Sequence, residues 1–299
     1  MTELVLLTLA VAVAVTAPAA ITGRRWSSRS PTLALWAWQS CTATVVLAGC
    51  LGAMSALLHP DQAQTLVGSA WRVCLDAVQG AHGVTGQVGA GIGLLLLAVV
   101  AARLPTSWWI VRRSTGRQRA RQRAILRAFG RHDAHLRATV VAHGRPAAFM
   151  LPGRPAEIVV TTAALDRLNP GELNAVLAHE RAHADGRHSL LRNTAHVLHR
   201  AFPRIPTFAQ AAREIARLVE MCADDVAVRR HRRIDLARAL VAMAVPDPVA
   251  TTLYAAGGNV TERLYRLLTP PDPLPTAIRA TVGVALILLP LTPLAIAVT

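Results

Sequence analysis

Four long apolar runs alternate with polar, arginine-rich stretches along the chain. The first, Leu4 to Thr22, is closed by Gly23, Arg24 and Arg25 and is long enough to span a bilayer core of roughly 30 Å. A second runs from about Pro31 to Leu58, entered through Trp36 and Trp38, which suit an interfacial belt. A third runs from about Gly86 to Val111, with Pro105 near its end and Trp108-Trp109 at its boundary. The fourth, Ala277 to Val298, closes the chain. The pattern predicts three transmembrane helices within 1–111 (about 4–22, 31–58 and 86–111), a soluble domain over 112–276 and a fourth transmembrane helix within 277–299. Signal peptides carry their positive charge before the apolar region, whereas here Met1-Thr2-Glu3 is acidic and the arginines follow, so the first run reads as a retained span. Gly86, Gly89, Gly91 and Gly93 superficially suggest a phosphate loop. No strand precedes them, so close helix packing in lipid is the better reading. Between the second and third runs, Leu66, Val67, Trp71, Cys74, Leu75 and Val78 fall at helical spacing and predict a helix over His59–Thr85 along the membrane surface.

Composition agrees with a membrane class. Of 299 residues 53% are apolar, 16% charged and 4% aromatic, against roughly 45–50% apolar and about 25% charged in soluble domains. This excludes disorder as the main state. The net charge of +15 comes from 32 arginines, as the chain has no lysine. Their positions matter more than their number. Arg24, Arg25 and Arg29 lie between the first two runs, Arg72 stands alone between the second and third, and Arg112–Thr276 holds 26 arginines against 14 acidic residues. Positive residues stay cytoplasmic, so both termini are expected outside and Arg112–Thr276 in the cytosol. Cys41, Cys50, Cys74 and Cys222 form no CxxC and indicate neither a disulfide framework nor a cysteine metal site. Arg112–Arg137 reads as a helix continuing from the third span, solvated near anionic lipid; no recognition motif accompanies it, and no direct nucleic-acid partner is expected.

The chemistry is concentrated in Asn169-Pro-Gly-Glu-Leu-Asn-Ala-Val-Leu-Ala-His-Glu-Arg-Ala-His183. Asn169 is a good N-cap, Pro170 suits the first helical position and Glu172 sits three after the cap. The helix carries HExxH. His179 and His183, four apart, share one face, where a single Zn²⁺ can accept both imidazoles, and Glu180 can act as general base on the attacking water. Glu220-Met-Cys-Ala-Asp224 follows on a helical segment over Thr207–Val228, so Glu220 can be the third ligand and Asp224 can hold a ligand histidine through its second nitrogen. His188 competes as third ligand, since Gly186 and His188 nearly complete a metzincin pattern; the histidine comes one residue early and no Met-turn follows. His188, His196 and His199 are then expected on the polar face of the next helix. The charges of this zinc helix exclude an intramembrane site. Upstream, Ala147–Pro152 and Glu157–Thr162 predict two short strands, an edge of which can hold an extended peptide by β-addition.

AAFMLPG, IVVTTAALDRLNPGELNAVLAHERAH and EMCADD, in this order over roughly residues 146–225, resemble the BlaR/MecR-type membrane metallopeptidases, which are gluzincins. The resemblance implies a multi-pass α-helical membrane protein of the cell membrane with a cytosolic α+β gluzincin-type zinc peptidase domain. It also implies zinc on His179, His183 and Glu220, catalysis by Glu180, and a cytosolic protein substrate, expected to be a winged-helix transcriptional repressor. Those antirepressors carry a penicillin-binding sensor domain after the last span, a departure from this chain, so the resemblance does not carry β-lactam sensing over to this polypeptide alone. The chain is similar, secondly, to quality-control proteases of the HtpX and CAAX-prenyl families, in which a downstream arginine follows a His-Pro pair. Here Asn259-Val-Thr-Glu-Arg263-Leu-Tyr-Arg266 keeps the arginine without the pair. Arg263 is expected either to stabilise the oxyanion or to lie on the surface of a solvated helix. A non-catalytic scaffold or receptor is the reading from another class, and the intact Glu180 argues against it.

Overall fold

The computed structural model describes residues 2–22, 25–57, 84–244 and 254–298. Among these, four helical stretches are long and apolar enough to cross a membrane. The first is α1 (Thr2–Ile21), joined by the short α2 (Arg25–Arg29) to α3 (Pro31–Leu57). The third lies in α4 (Val84–Phe129), a continuous helix of 46 residues. The fourth comprises α11 (Thr276–Leu288), a 3-10 turn over Leu289–Leu291, and α12 (Thr292–Val298). The single helix expected over Ala277–Val298 is thus interrupted where Pro290 and Pro293 fall, since a proline cannot donate to the preceding turn. The surface helix expected over His59–Thr85, with Cys74, lies outside the described residues up to position 83, while Val84 and Thr85 already belong to α4.

Close packing brings α1, α3 and α4 together. A Cβ at Gly93 would meet the Ala53 carbonyl at 2.6 Å, so the approach of α4 to α3 requires the bare backbone there, whereas Gly91 faces open space. Trp36 and Trp38 have opposite fates. Residues two positions apart on a helix differ by about 200° of rotation. Trp36 is 61% exposed, and Trp38 is fully buried in a core rather than in an interfacial belt.

Beyond Arg112, α4 continues to Phe129, eight residues short of the expected end, and the chain turns into a sheet. Gly130 makes the switch, because a Cβ there would strike the Leu126 carbonyl and the Thr139 side chain. The sheet comprises β1 (Gly130–Asp133), β2 (Ala138–Val141), β3 (Ala148–Leu151) and β4 (Glu157–Thr161) in the order β1-β2-β4-β3. β2 and β4 are parallel, and the two outer pairs are antiparallel. Of these, β3 and β4 match the two short strands expected over Ala147–Pro152 and Glu157–Thr162. On β4, Ile158 and Val160 face one cluster and Val159 the other, as period-2 alternation requires. The first cluster lies under α5 (Thr162–Arg167), α6 (Pro170–Asp185) and α9 (Arg233–Met243); the second lies under Leu126 at the end of α4.

The remaining helices are α7 (His188–Ala201), α8 (Pro206–Ala227) and α10 (Tyr254–Leu268). α8 connects the two halves of the molecule. Its Ala211, Ile215, Leu218, Val219 and Cys222 share one buried cluster with Ala17, Ile21, Leu35, Trp38 and Cys41 of α1 and α3. Thr207 donates to the Ala14 carbonyl, and the Thr22 hydroxyl donates to Gln210 at 2.8 Å. Near the other end, Arg217 donates to the Ser27 hydroxyl and Arg266 donates to the Ser28 carbonyl, which docks the α1–α3 connection onto α8 and α10.

Replacing Trp38 with Ala should therefore cost roughly 3–5 kcal/mol, the range for deleting a buried tryptophan. Trp36→Ala should change stability by only about 0.5 kcal/mol. Thermal unfolding of the detergent-solubilised protein checks both; equal effects would show that α3 does not present this face to α8.

Candidate metal centre

The zinc helix starts where its cap places it. Asn169 accepts from the Glu172 N–H at 3.0 Å, Glu172 accepts from the Asn169 N–H at 3.0 Å, and Pro170 occupies the first turn. From that start, His179 and His183 fall on one face of α6, their rings edge-to-face with centroids 4.8 Å apart and their Nε2 atoms 3.1 Å apart. Glu220 of α8 meets them, with Oε2 3.5 Å from His179 Nε2 and Oε1 3.6 Å from His183 Nε2. Among the described residues these three form the group able to hold a metal ion, with donor atoms within 4.8 Å of one another. Tetrahedral zinc with bonds of about 2.0–2.1 Å has ligand–ligand edges of roughly 3.3 Å. The three observed separations bracket that value. Two imidazoles and one carboxylate, with a side left open, form the donor set of catalytic zinc.

Each histidine is held from behind. Asp224 Oδ1 lies 2.9 Å from His179 Nδ1. The Asp224 carboxylate is 1% exposed and takes two hydrogen bonds from Arg263, Nε to Oδ2 at 2.8 Å and Nη2 to Oδ1 at 2.7 Å. Arg263 Nη1 also donates to Glu220 Oε2 at 3.2 Å. Arg263 is therefore no surface residue: it is 8% exposed and tied to the Glu220 and Asp224 carboxylates of α8. It is absent from the lining of the cleft that opens beside the donor set.

His188 departs from the expected polar face. Its Nδ1 lies 2.8 Å from His183 Nδ1, with one nitrogen donating and the other accepting. The chain reaches this position by a tight return. Arg187 adopts a left-handed conformation (φ 49°), and a Cβ at Gly186 would run into the His188 ring. A histidine one residue early for a metal ligand is thus placed to hold the ligand instead. His196 is exposed and His199 half-buried on α7. The signal for His188 in the sequence was Gly186, whose missing side chain leaves room for the His188 ring.

Electrostatics follow from burial and these contacts. Burial disfavours the His179 imidazolium, but hydrogen bonds to Asp224 and Glu220 outweigh it and push its pKa up to about 9. Burial would raise the Glu220 carboxyl, yet hydrogen bonding to His179 and His183 holds it well below the usual carboxylate range. His188 is pushed down to about 4, first by burial and then by the charge of His183. Glu180 is raised, chiefly by burial. Its carboxylate faces the cleft and accepts from the Met150 N–H at 2.8 Å.

The cleft has a volume of about 370 Å³. Phe149, Met150 and Pro152 form one wall, residues of α7 the other, and Glu180, His183 and Glu220 the floor. β3 is an edge strand. Ala147 is bonded toward β4, its N–H to the Thr161 hydroxyl and its carbonyl to the Thr161 N–H. By alternation Ala148 and Met150 turn their peptide groups to the cleft, which agrees with the Met150 N–H reaching Glu180.

Residues 112–270, slightly more than half of the chain, match the profile described as Peptidase family M48. The chain belongs to peptidase family M48. No solved structure gives a significant match. The M48 match contains His179, Glu180, His183, Glu220, Asp224 and Arg263, so the family assignment and the converging side chains concern the same part of the molecule. It establishes a zinc-peptidase family domain beside membrane-length helices, which is coarser than the BlaR/MecR-type membership that the motifs suggest.

Metal content tests the donor set. The purified M48 protein should hold about one zinc per chain, and His183→Ala should lose most of it. Asp224→Asn and His188→Ala should keep the ligands but lower zinc affinity by roughly 10–100-fold, as loss of a ligand's supporting hydrogen bond does. Chelator competition followed by elemental analysis measures both, and unchanged zinc in His183→Ala would place the site elsewhere.

Proposed function

We propose that this protein is a membrane-embedded zinc endopeptidase that cuts a cytosolic protein bound in extended form along β3. The observation that carries the reading is the position of Glu180, beside the His179–His183–Glu220 donor set and fastened to the edge strand through the Met150 N–H. Zinc held by these residues supplies Lewis acidity to the scissile carbonyl and to the attacking water. The chain does the rest. Glu180, whose proton affinity is raised by burial, takes the proton of the attacking water and returns it to the leaving amine, so one carboxylate serves as base and then acid. Asp224 and His188 fix the two ligand imidazoles. Arg263 acts as a positioning residue by holding Asp224 and Glu220. The backbone groups of Ala148 and Met150 that face the cleft align the substrate.

The cytosolic placement rests on the arginine distribution, and is supported by the docking of Ser27 and Ser28 onto α8 and α10, which keeps the α1–α3 connection and the peptidase helices on one side. The substrate favoured by the BlaR/MecR-like motifs is a winged-helix repressor. A second reading, a quality-control peptidase of HtpX or CAAX-prenyl type, is favoured by one observation, the entry of Arg263 into the ligand-supporting network.

Glu180→Gln preserves size and should leave zinc bound while hydrolysis of a quenched peptide by the reconstituted protein falls by about 10²–10⁴-fold. Undiminished turnover in that variant would refute the peptidase reading in favour of a scaffold. Comparing proteomes of cells carrying wild type and Glu180→Gln separates the two substrates: one intact repressor accumulates in the first case, many damaged membrane proteins in the second. Reporters fused after Arg137 and at Thr299 should report cytosol and exterior respectively, and finding both on one side would remove the proposed topology.

A further inference from the structure

We infer that the notch between α4 and α7 binds the phosphate of an anionic membrane lipid, whose acyl chains lie along the apolar stripe of α4 beneath it. A cavity of about 460 Å³ is lined by Ala102, Arg103, Thr106, Ser107 and Ile110 of α4 and by Arg200 near the end of α7. One arginine from each of two helices lines it, and its described lining contains no carboxylate. Neither Arg103 nor Arg200 has an acidic partner among the described residues. Arginine stays charged at any physiological pH, so nothing among the described residues neutralises this pair.

The level of the notch points to an anion that can neutralise the pair. Trp108 and Trp109 are both about half exposed, with the Arg112 and Arg113 guanidinium groups stacked over them at 5.0 and 4.8 Å. Exposed tryptophans mark the headgroup region. Arg103 lies five residues toward the apolar side, about 7.5 Å along the helix, where an unpaired charge facing hydrocarbon is costly. A phosphodiester can accept from both arginines at once. The Ser107 side chain offers a further donor, while the Thr106 hydroxyl is given to the Ala102 carbonyl at 2.5 Å.

A free phosphate would satisfy the arginines equally well, but the surface below the notch argues for a lipid. Val99, Leu96, Leu95 and Ile92 lie four, seven, eight and eleven residues before Arg103, on the same face of α4, and all four are exposed. Charge above and a continuous apolar stripe below match an anionic lipid end to end. Such a lipid bridges the membrane helix to α7, whose first residue supports His183.

The inference rests on the reading that α4 crosses the bilayer, so the experiment separates the two. Full-length protein is incorporated into nanodiscs of phosphatidylcholine alone or with phosphatidylglycerol, and co-purifying lipid is identified by native mass spectrometry. Failure to enter phosphatidylcholine nanodiscs would overturn the membrane reading and this inference together. Given incorporation, wild type should retain phosphatidylglycerol over phosphatidylcholine, and added inorganic phosphate should not displace it. Arg103→Gln and Arg200→Gln should each lower that preference roughly fivefold, and the double variant should abolish it. Arg112→Gln, which removes a charge at the tryptophan level outside the notch, should leave it intact. Equal retention of the two lipids, an unchanged preference in the double variant, displacement by inorganic phosphate, or loss of preference in Arg112→Gln would each overturn the lipid site alone.

Discussion

Asp224 lies between a histidine of α6 and an arginine of α10 while belonging to α8, and the three helices that make the site meet at its carboxylate. A carboxylate so buried is tolerable only because both oxygens are engaged by the Arg263 fork, with His179 as a further partner. Removing one member of such a network would leave a charge buried without a partner, a loss of about 3–5 kcal/mol in comparable cases. That asymmetry binds the three helices to one another through a single carboxylate. With the network intact, the imidazole of His179 has one orientation and the carboxylate of Glu220 one neighbourhood; without it, α6 and α8 lose their common reference point.

α8 carries a second obligation. The face that presents Glu220 and Asp224 to α6 and α10 lies across the helix from the face that packs on α1 and α3. The third ligand therefore stands on a helix that packs against peptidase helices on one face and membrane-length helices on the other. The chain from α1 to α3 reinforces this, since Ser27 and Ser28 are bonded to Arg217 and Arg266, and Arg266 is in turn paired with Asp225, next to Asp224. The helix that carries the third ligand thus shares a buried core with two membrane-length helices.

Much of this could be read from the residues. The capping box, the i, i+4 histidines and the ExxxD spacing are local features governed by helix geometry, and the structure places those side chains together. The apolar runs were equally plain. What escaped was long-range or carried by backbone. β1 and β2 are four residues each, one of them Gly-Arg-His-Asp, too short and too polar for a period to emerge from an arginine-rich helix. Trp38 looked like a belt residue because its partner α8 lies far along the chain. The contact of Met150 with Glu180 is made by a peptide group, which any residue but proline would provide.

That peptide contact has a consequence for what can be cut. With the Met150 N–H committed to Glu180, a peptide bound beside β3 as proposed would be read through backbone groups, chiefly those of Ala148 and the Met150 carbonyl, and these do not discriminate among side chains. They do demand a segment freed from its own helix or sheet. A target is then chosen by how often part of it opens, so that a segment whose local opening costs about 1.4 kcal/mol less is offered to the cleft about ten times as often. On the proposed binding mode, selection of this kind would read stability before sequence.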